Sequence, residues 1–303
     1  MIDLAELARP VSEPDQLGGG GRRDVGRLAD LAGWLARAQG QWPPRDPVLA
    51  RLMLVSELAA DGLGEELRDI AALADAAVHP VTLAVADADA GPEPAAASAV
   101  RAGAAAADTE IDAGADLLLL AGEGGDDAAA AVIAALGGLE PTSVATAGTG
   151  PDPDDRRWSA SVLAIRDLLR RLRPHLHDPG ALLAVAGSPM LAAQVGLLLR
   201  AAARRTPVIL DGLAPCAAAV LASLAAPALP AWCLAGHRTG AVAQEEALHQ
   251  LGLDPTLDLG IVSGRGYGAL LGLATLRVAV RLTTDDEPTT TGTAGNPPGG
   301  VDG

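Results

Sequence analysis

The most constraining feature of this chain is a run of four leucines, residues 117–120, within the segment GADLLLLAGEG. Glycines bound the run on both sides, and it has no polar position that could face water. Such a short, uninterrupted apolar run is typical of a parallel β-strand that is buried on both of its faces. A strand of this kind needs neighbouring strands and two covering layers of helices.

The rest of the chain repeats this pattern of short apolar segments alternating with amphipathic ones. Strands alternating with helices of ten to fifteen residues are typical of βαβ units. The sequence therefore predicts an α/β fold with a mostly parallel, Rossmann-like sheet and flanking helices. Helices are predicted at residues 25–39, 65–77, 128–136, 158–172 and 190–204 and in an Ala-rich stretch ending near 112; strands are predicted at 81–87, 114–124, 142–146, 207–212 and 232–235; residues 47–63 fit either a buried strand or a helix.

The two ends of the chain differ in character from its middle. Residues 1–24 include four consecutive glycines at 18–21, which define no backbone geometry, and we expect a flexible arm there. Residues 283–303 are rich in Thr, Gly and Pro and lack apolar periodicity, so we expect a disordered tail. One domain, residues 25–282, remains between them.

Charge and cysteine usage exclude several classes of function. The net charge of -16 argues against a nucleic-acid partner, which requires clustered Lys and Arg. Cys216 and Cys233 lack CxxC spacing and lie in apolar surroundings, and the histidines lack zinc spacing, so we predict no metal site. No segment is typical of a secretion signal or a membrane span, which favours a cytoplasmic protein with no membrane partner.

Three glycine-containing loops follow predicted strands. Backbone amides without side chains can approach a phosphate closely and donate to it, although an isolated glycine cluster is more often a simple turn. Together the three loops favour a nucleotide-like ligand. Their residues are Gly122, Glu123, Gly124 and Gly125; Gly148, Thr149 and Gly150; and Ser263, Gly264, Arg265, Gly266, Tyr267 and Gly268.

Two further polar groups follow strands. Asp211 and Gly212 end the segment PVILDG, where a carboxylate could bind a ribose hydroxyl or instead cap a helix or turn. His237 in LAGHRTG is more often a structural hydrogen-bonding group than a catalyst. The chain has no nucleophile elbow, Walker lysine motif or early GxGxxG, so hydrolase, P-loop and dehydrogenase interpretations lack support.

The ordered set of loops resembles the nicotinate-nucleotide:dimethylbenzimidazole phosphoribosyltransferase family. The resemblance runs with gaps from about residue 25 to 282, through segments such as VGRLADLAGWLARAQGQWPPR, ATAGTGPDPDDRRW and LGIVSGRGYGALLGLATLRVAV. It implies a large Rossmann-like domain, a smaller helical subdomain made from both chain ends, and a homodimer. It also implies transfer of phosphoribose from nicotinate mononucleotide to 5,6-dimethylbenzimidazole in cobalamin biosynthesis, with a carboxylate base and no cofactor.

The resemblance assigns roles to individual residues. Gly148, Thr149 and Gly150 match the loop that faces the phosphoribosyl group, and Asp211 with Gly212 matches the family's LDG element. Gly122, Gly264 and Gly266 lie in the other two substrate loops. Glu123 stands at the acidic residue that faces the benzimidazole.

Several family positions are altered. The family reads LGEGTG where this chain has Ser263 to Gly268, and its glutamate base is replaced by Arg265, which has no lone pair to accept a proton. The motif after Glu123 is shortened, the N-terminal substrate loop is absent, and residues 59–62 are a loose counterpart of a further loop.

Three functional hypotheses follow. In the first, the chain still transfers phosphoribose, with Glu123 or Asp211 as the base. In the second, it is a catalytically silent paralogue that binds a nucleotide, an azole or a partner subunit. In the third, Arg265 binds a phosphate or carboxylate and alters the specificity.

Overall fold

A parallel sheet with helices on both faces forms the body of the protein. The computed structural model describes residues 4–17, 23–56, 65–82, 92–146, 154–262 and 264–284. The strands are β1 (Ala50–Ser56), β2 (Ala76–Thr82), β3 (Leu117–Glu123), β4 (Val208–Leu210) and β5 (Cys233–Ala235). The helices are α1 (Leu4–Ala8), α2 (Arg27–Gln39), α3 (Glu65–Leu73), α4 (Pro92–Asp112), α5 (Asp126–Gly137), α6 (Pro141–Val144), α7 (Asp155–Leu172), α8 (Pro179–Ala186), α9 (Pro189–Ala203), α10 (Leu213–Ala225), α11 (Val242–Leu251) and α12 (Tyr267–Thr284).

The five strands run parallel in the order β2-β1-β3-β4-β5. In this doubly wound order the chain crosses from one side of the sheet to the other between β1 and β3. Such a switch point leaves a crevice outside the carboxyl ends of the two strands, where ligands of open α/β sheets bind. The predicted α/β, Rossmann-like fold is confirmed.

The four-leucine run forms β3, the central strand. All four leucines are fully buried, and they alternate between the two apolar clusters on opposite faces of the sheet. Leu118 and Leu120 face the cluster that includes α4, α5, α9 and α10, whereas Leu117 and Leu119 face α2, α3 and α12. The run therefore contains no polar position because neither face of this strand reaches water.

The close packing of α4 on α9 explains how a chain without phenylalanine builds a core. A methyl group added to Gly103 would collide with the backbone of Ala193, and one added to Gly196 would collide with that of Val100. The two backbones therefore approach closely at the glycines, and many small contacts replace a few large aromatic ones.

Some predicted elements are wrong or displaced. Residues 142–146 are not a strand, because Pro141 begins the short helix α6 there. The strand expected at 81–87 overlaps β2 only at residues 81–82, because β2 begins earlier, at Ala76, and residues 83–87 lie outside the described residues. The helix expected at 65–77 ends at Leu73, before this strand begins. As an edge strand beginning with alanines, β2 shows little apolar signal. The ambiguous segment 47–63 contains strand β1, and helices α8, α10, α11 and α12 were not predicted individually.

The described parts of the N-terminal segment and of the C-terminal helix pack against the body. Helices α2 and α12 contact each other on one face of the sheet. The smaller helical subdomain implied by the resemblance stays a prediction. In the N-terminal segment, Leu4 and Ala8 of α1 are buried, and the Trp232 indole donates to the carbonyl of Ser12 at 2.7 Å. Of the disordered tail expected at residues 283–303, Thr283 and Thr284 instead end helix α12, and residues 285–303 lie outside the described residues. Within the described ranges, no helix has the length and hydropathy to span a membrane.

Candidate functional site

The predicted site residues from three separate loops meet at the carboxyl edge of the sheet. Ser56 at the end of β1 is in register with Glu123 at the end of β3, so the switch point lies beside Glu123. Asp211 directly follows β4, and its N–H donates to the carbonyl of Leu120 at 2.9 Å. The Gly122 N–H donates to the carbonyl of Gly264 at 3.3 Å, which brings the loop before α12 to the same place.

Glu123 and Arg265 form an ion pair at this edge. The Nη2 atom of Arg265 lies 2.6 Å from Oε1 of Glu123. The Glu123 side chain is 24% exposed and the Arg265 side chain 61%, so the pair faces the crevice and the guanidinium reaches into solvent. The acidic position and the base position implied by the resemblance are thus adjacent in space, and a cation now occupies the second.

The Asp211 carboxylate, by contrast, is completely buried. Its Oδ2 atom accepts from the Gly266 N–H, and its Oδ1 atom accepts from the Ala269 N–H at 2.7 Å. Both hydrogen bonds link the end of β4 to the start of α12. The helix-capping alternative for Asp211 therefore describes its geometry better than exposure to a ribose.

His237 packs beside this carboxylate. Its side chain is also fully buried, and Nδ1 lies 3.2 Å from Oδ1 of Asp211, although neither ring nitrogen makes a hydrogen bond of good geometry to another described residue. A side chain at Gly268 would collide with the imidazole ring. The glycine at position 268 thus makes room for the histidine.

Four of the predicted glycines are accounted for in the same loops. A methyl group on Gly212 would lie 2.7 Å from the Cα atom of Gly264, so the two loops touch through glycine backbones. The N–H groups of Gly122 and Gly266 already donate within the protein, to Gly264 and Asp211. These two amides are therefore not free to hold a phosphate.

The loop with Gly148, Thr149 and Gly150 lies outside the described residues, but its flanks are held near β3. The N–H of Thr146 donates to Oγ of Ser161 at 3.4 Å, and that hydroxyl donates to Asp127 at 2.5 Å. Asp154 caps α7 by accepting from two backbone amides. No periodic pattern along the chain indicated the Asp127–Ser161 contact, which joins the first turn of α5 to α7.

The neighbouring Asp126 carries a perturbed carboxyl group. Although Asp126 keeps exposed surface, the surrounding protein displaces water from the carboxylate and raises its pKa. The negative charge of Asp127 adds to this rise, whereas Arg157 opposes it. The first turn of α5 thus adds two acidic groups next to the loop that ends β3.

Gln244 supports the His237 segment and was also missed in the sequence. It is fully buried, accepts from the backbone and hydroxyl of Thr239 at 2.7 Å each, and donates to the His237 carbonyl at 3.0 Å. A glutamine in an otherwise apolar helix face was the one signal that could have indicated it.

A separate cavity of about 310 Å³ lies near the amino end of β5. Trp34, Arg37 and Cys233 are among its lining residues, with Glu13 and Gln16 of the N-terminal segment. None of the predicted site residues lines it. Among the described residues, no group of acidic, His and Cys side chains could hold a metal ion.

Comparison with known proteins identifies the family. A family model described as "Phosphoribosyltransferase" matches residues 47–291. A nicotinate-nucleotide–dimethylbenzimidazole phosphoribosyltransferase of Mycobacterium ulcerans is 37% identical over 326 residues, covering 89% of this chain and 90% of the relative. The chain belongs to this phosphoribosyltransferase family.

Other family members agree. The Mycobacterium leprae enzyme of the same name is 36% identical and covers 91% of this chain. A crystal structure of CobT from Thermus thermophilus has a TM-score of 0.75 and 29% sequence identity, and covers 93% of this chain and 96% of that one. The predicted family membership is therefore confirmed.

The alignment also indicates where the chain departs from the family. The aligned stretch with the Mycobacterium ulcerans relative, 326 residues, is longer than the entire chain of 303. That relative therefore contains internal residues that this chain lacks, which agrees with the shortened loops seen in the sequence.

Proposed function

We propose that this protein transfers phosphoribose from nicotinate mononucleotide to 5,6-dimethylbenzimidazole at the carboxyl edge of its sheet, in cobalamin biosynthesis. The observation that supports this most directly is the position of the Glu123 carboxylate at the carboxyl edge of the sheet. This carboxylate lies beside Arg265, which stands at the position where, by the resemblance, the family has its base. The names of the family relatives supply the substrates of the proposal.

In the proposed reaction Glu123 accepts the proton from the azole. One ring nitrogen of the azole forms the bond to the anomeric carbon, the bond from that carbon to nicotinate breaks, and the other ring nitrogen loses its proton to Glu123. Arg265 must first move aside, and its 61% exposed side chain can do so by rotating toward solvent. The phosphate is assigned to the amides of Gly148, Thr149 and Gly150, since those of Gly122 and Gly266 are already bonded. No metal or organic cofactor takes part, so a chelator should leave the rate unchanged.

A second candidate function is ligand binding without turnover. It is favoured by the Glu123–Arg265 ion pair, because the guanidinium occupies the oxygen of Glu123 that an azole proton would have to reach. An arginine cannot itself accept that proton. In this case the chain would be a catalytically silent relative that holds the nucleotide, the azole or a partner subunit.

One experiment separates the two candidates. Purified protein is incubated with nicotinate mononucleotide and dimethylbenzimidazole, and α-ribazole 5′-phosphate and nicotinate are measured by mass spectrometry, while calorimetry measures binding of each substrate. Stoichiometric formation of both products supports transfer. Binding without product rejects transfer and supports the silent candidate. The absence of both rejects transfer and rejects a silent relative that holds the nucleotide or the azole, which leaves only one that holds a partner subunit.

The assembly and the compartment of the protein are also proposed. We propose a homodimer, as the family resemblance implies, and light scattering coupled to size exclusion should give twice the mass of 30.3 kDa. A mass of one chain would reject it. The two free, buried cysteines suit a reducing compartment, which supports a cytoplasmic protein.

A further inference from the structure

Asp211 occupies a position from which it can act on the site without touching a ligand. It follows β4 directly, is completely buried, and is tied to the central strand by its N–H bond to Leu120. A buried carboxylate is costly unless its oxygens are hydrogen-bonded. The groups that satisfy these oxygens therefore reveal what the residue does.

Both oxygens of Asp211 are used by the segment that carries Arg265. Oδ2 accepts from the Gly266 N–H, and Oδ1 accepts from the Ala269 N–H and lies 3.2 Å from Nδ1 of His237. Gly266 directly precedes α12 and Ala269 lies in its first turn; the N-terminal amides of this 18-residue helix carry partial positive charge. The negative charge of the carboxylate is thus balanced by the helix start.

Position 265 is consequently held from both sides. On one side the Gly264 carbonyl accepts from Gly122 at the end of β3, and on the other Gly266 donates to Asp211. The contact of Gly212 with Gly264 leaves no space for this loop to slide toward β4. The Arg265 side chain can rotate, but its backbone is fixed beside Glu123.

We propose that Asp211 is a positioning residue, which sets the place of residue 265 relative to Glu123 and does not bind the ribose. The part of this proposal that concerns ligands rests on the proposed function. The part that concerns the loop rests only on the contacts described.

The first test uses the single tyrosine of the chain, Tyr267, as a reporter within the loop. Protein labelled with 3-fluorotyrosine should give one ¹⁹F resonance. We expect Asp211→Asn to shift this resonance or to split it into several. The reason is that the new side-chain amide would place an N–H group against the backbone N–H of Gly266 or Ala269, where the carboxylate accepted a hydrogen bond. The matched control is Asp116→Asn, since Asp116 also accepts from two backbone amides, those of Val48 and Leu49, but at the opposite edge of the sheet. An unchanged resonance in Asp211→Asn, or an equal change in Asp116→Asn, would overturn the proposal.

The second test separates positioning from ligand contact by a double-mutant cycle. Asp211→Asn should change azole affinity, or the rate of transfer, at least fivefold in the chain with Arg265 and less than twofold in an Arg265→Ala background. Equal effects in both backgrounds would indicate direct contact or general loss of structure, and would reject positioning. If no variant binds or turns over either substrate, the proposed function fails, whereas the ¹⁹F result still decides whether Asp211 holds the loop.

A measurement on the unsubstituted chain covers the case in which Asp211→Asn does not fold. The amide protons of Gly266 and Ala269 should exchange with solvent as slowly as those in the middle of α12. Exchange as fast as in an exposed turn would show that the two hydrogen bonds do not hold the loop, and would refute the proposal.

Discussion

At the scale of single residues, the site depends on the charge of the side chain at position 265. Position 265, which the family resemblance implies to be the position of the base, carries a guanidinium, and this group pairs with Glu123 at 2.6 Å. The pair is only partly buried, so water and salt weaken it and Arg265 can exchange Glu123 for another anion. In the proposed reaction, the chemistry of the site therefore depends on which of the two side chains faces the azole.

Charge reversal at this position should raise the transfer rate. We expect Arg265→Glu to increase product formation by roughly a hundredfold, because the guanidinium occupies Glu123 in the unsubstituted chain, whereas a free, positioned general base contributes about a hundred- to ten-thousand-fold. Glu123→Gln should lower the rate of the unsubstituted chain by a similar factor. Initial rates by mass spectrometry test both, with Arg265→Gln as the control that removes the cation without adding a base. A Glu123→Gln variant with unchanged rate would exclude Glu123 as the base.

A glycine contact at the same edge should matter for stability. Gly212 has φ of 83° and ψ of -165°, a backbone region open almost only to glycine, and a methyl group there would also meet Gly264. We expect Gly212→Ala to lower the free energy of unfolding by about 3 kcal/mol. Gly252→Ala is the control, because Gly252 has a positive φ of 65° but open space around it, and should cost about 1 kcal/mol. Denaturant titration compares the two, and equal losses would contradict a role for the contact.

At the scale of elements, α12 is the helix on which the site depends, and it is fixed near both ends. Asp211 holds its first turn, and Arg277 holds its later part by donating to the carbonyls of Ala74, Pro47 and Asp75. The Nε atom of Arg277 also lies 3.3 Å from Oδ1 of Asp46. The helix thus connects the carboxyl edge of the sheet with the opposite edge.

Removing the second anchor should loosen α12 as a unit. The Arg277 side chain is 13% exposed, and its loss leaves several carbonyls without a donor. We expect Arg277→Met to lower the free energy of unfolding by about 2 to 3 kcal/mol, since hydrogen bonds from charged groups are worth about 1.5 to 3 kcal/mol. Arg281→Met, at a 77% exposed position on the same helix, should cost far less. Thermal melts of both variants test this, and equal shifts would argue against the anchor.

At the scale of the whole molecule, the two cysteines report on opening of the core. Cys216 lies in α10 and Cys233 begins β5, and both are buried. Burial raises the pKa of the Cys216 thiol to about 12, assisted by the charges of Asp211 and Glu245 and opposed by a hydrogen bond with Gln244. Burial and the proximity of Cys216 raise the pKa of Cys233 as well.

Both thiols should therefore react with Ellman's reagent only after unfolding. We expect negligible labelling of the native protein at about pH 8 and full labelling in denaturant, measured by absorbance.

The raised pKa values of the two thiols also predict that the free energy of unfolding falls as pH rises above about 9, because the unfolded chain then releases protons that the folded chain retains. Rapid native labelling, or constant stability in that alkaline range, would contradict this description of the core.

The extent to which the site could be predicted differs from one residue to the next. Glu123 and Asp211 were found as polar groups after strands, and the parallel order of the sheet brought these two to one edge. The loop of Arg265 was also expected after a strand, but residues 252–262 form no strand of the sheet, and the hydrogen bond from Gly122 to Gly264 brings this loop to the edge instead. The inward direction of Asp211 was not predictable, because a carboxylate after a strand can face the crevice or cap a neighbouring helix. Helix α6 was mistaken for a strand because four residues are too few to show a period.

The layered α/β architecture and the family both follow from the order of residues along the chain. A run of leucines with no polar position has to be buried on both sides, and the glycine loops after such strands have to gather at one edge of a parallel sheet. The pairing of Arg265 with Glu123 and the closing off of Asp211 from solvent became visible only in three dimensions. Strand order and the packing of α12 place groups that are far apart along the chain within hydrogen-bonding distance, and no local pattern of residues encodes those distances.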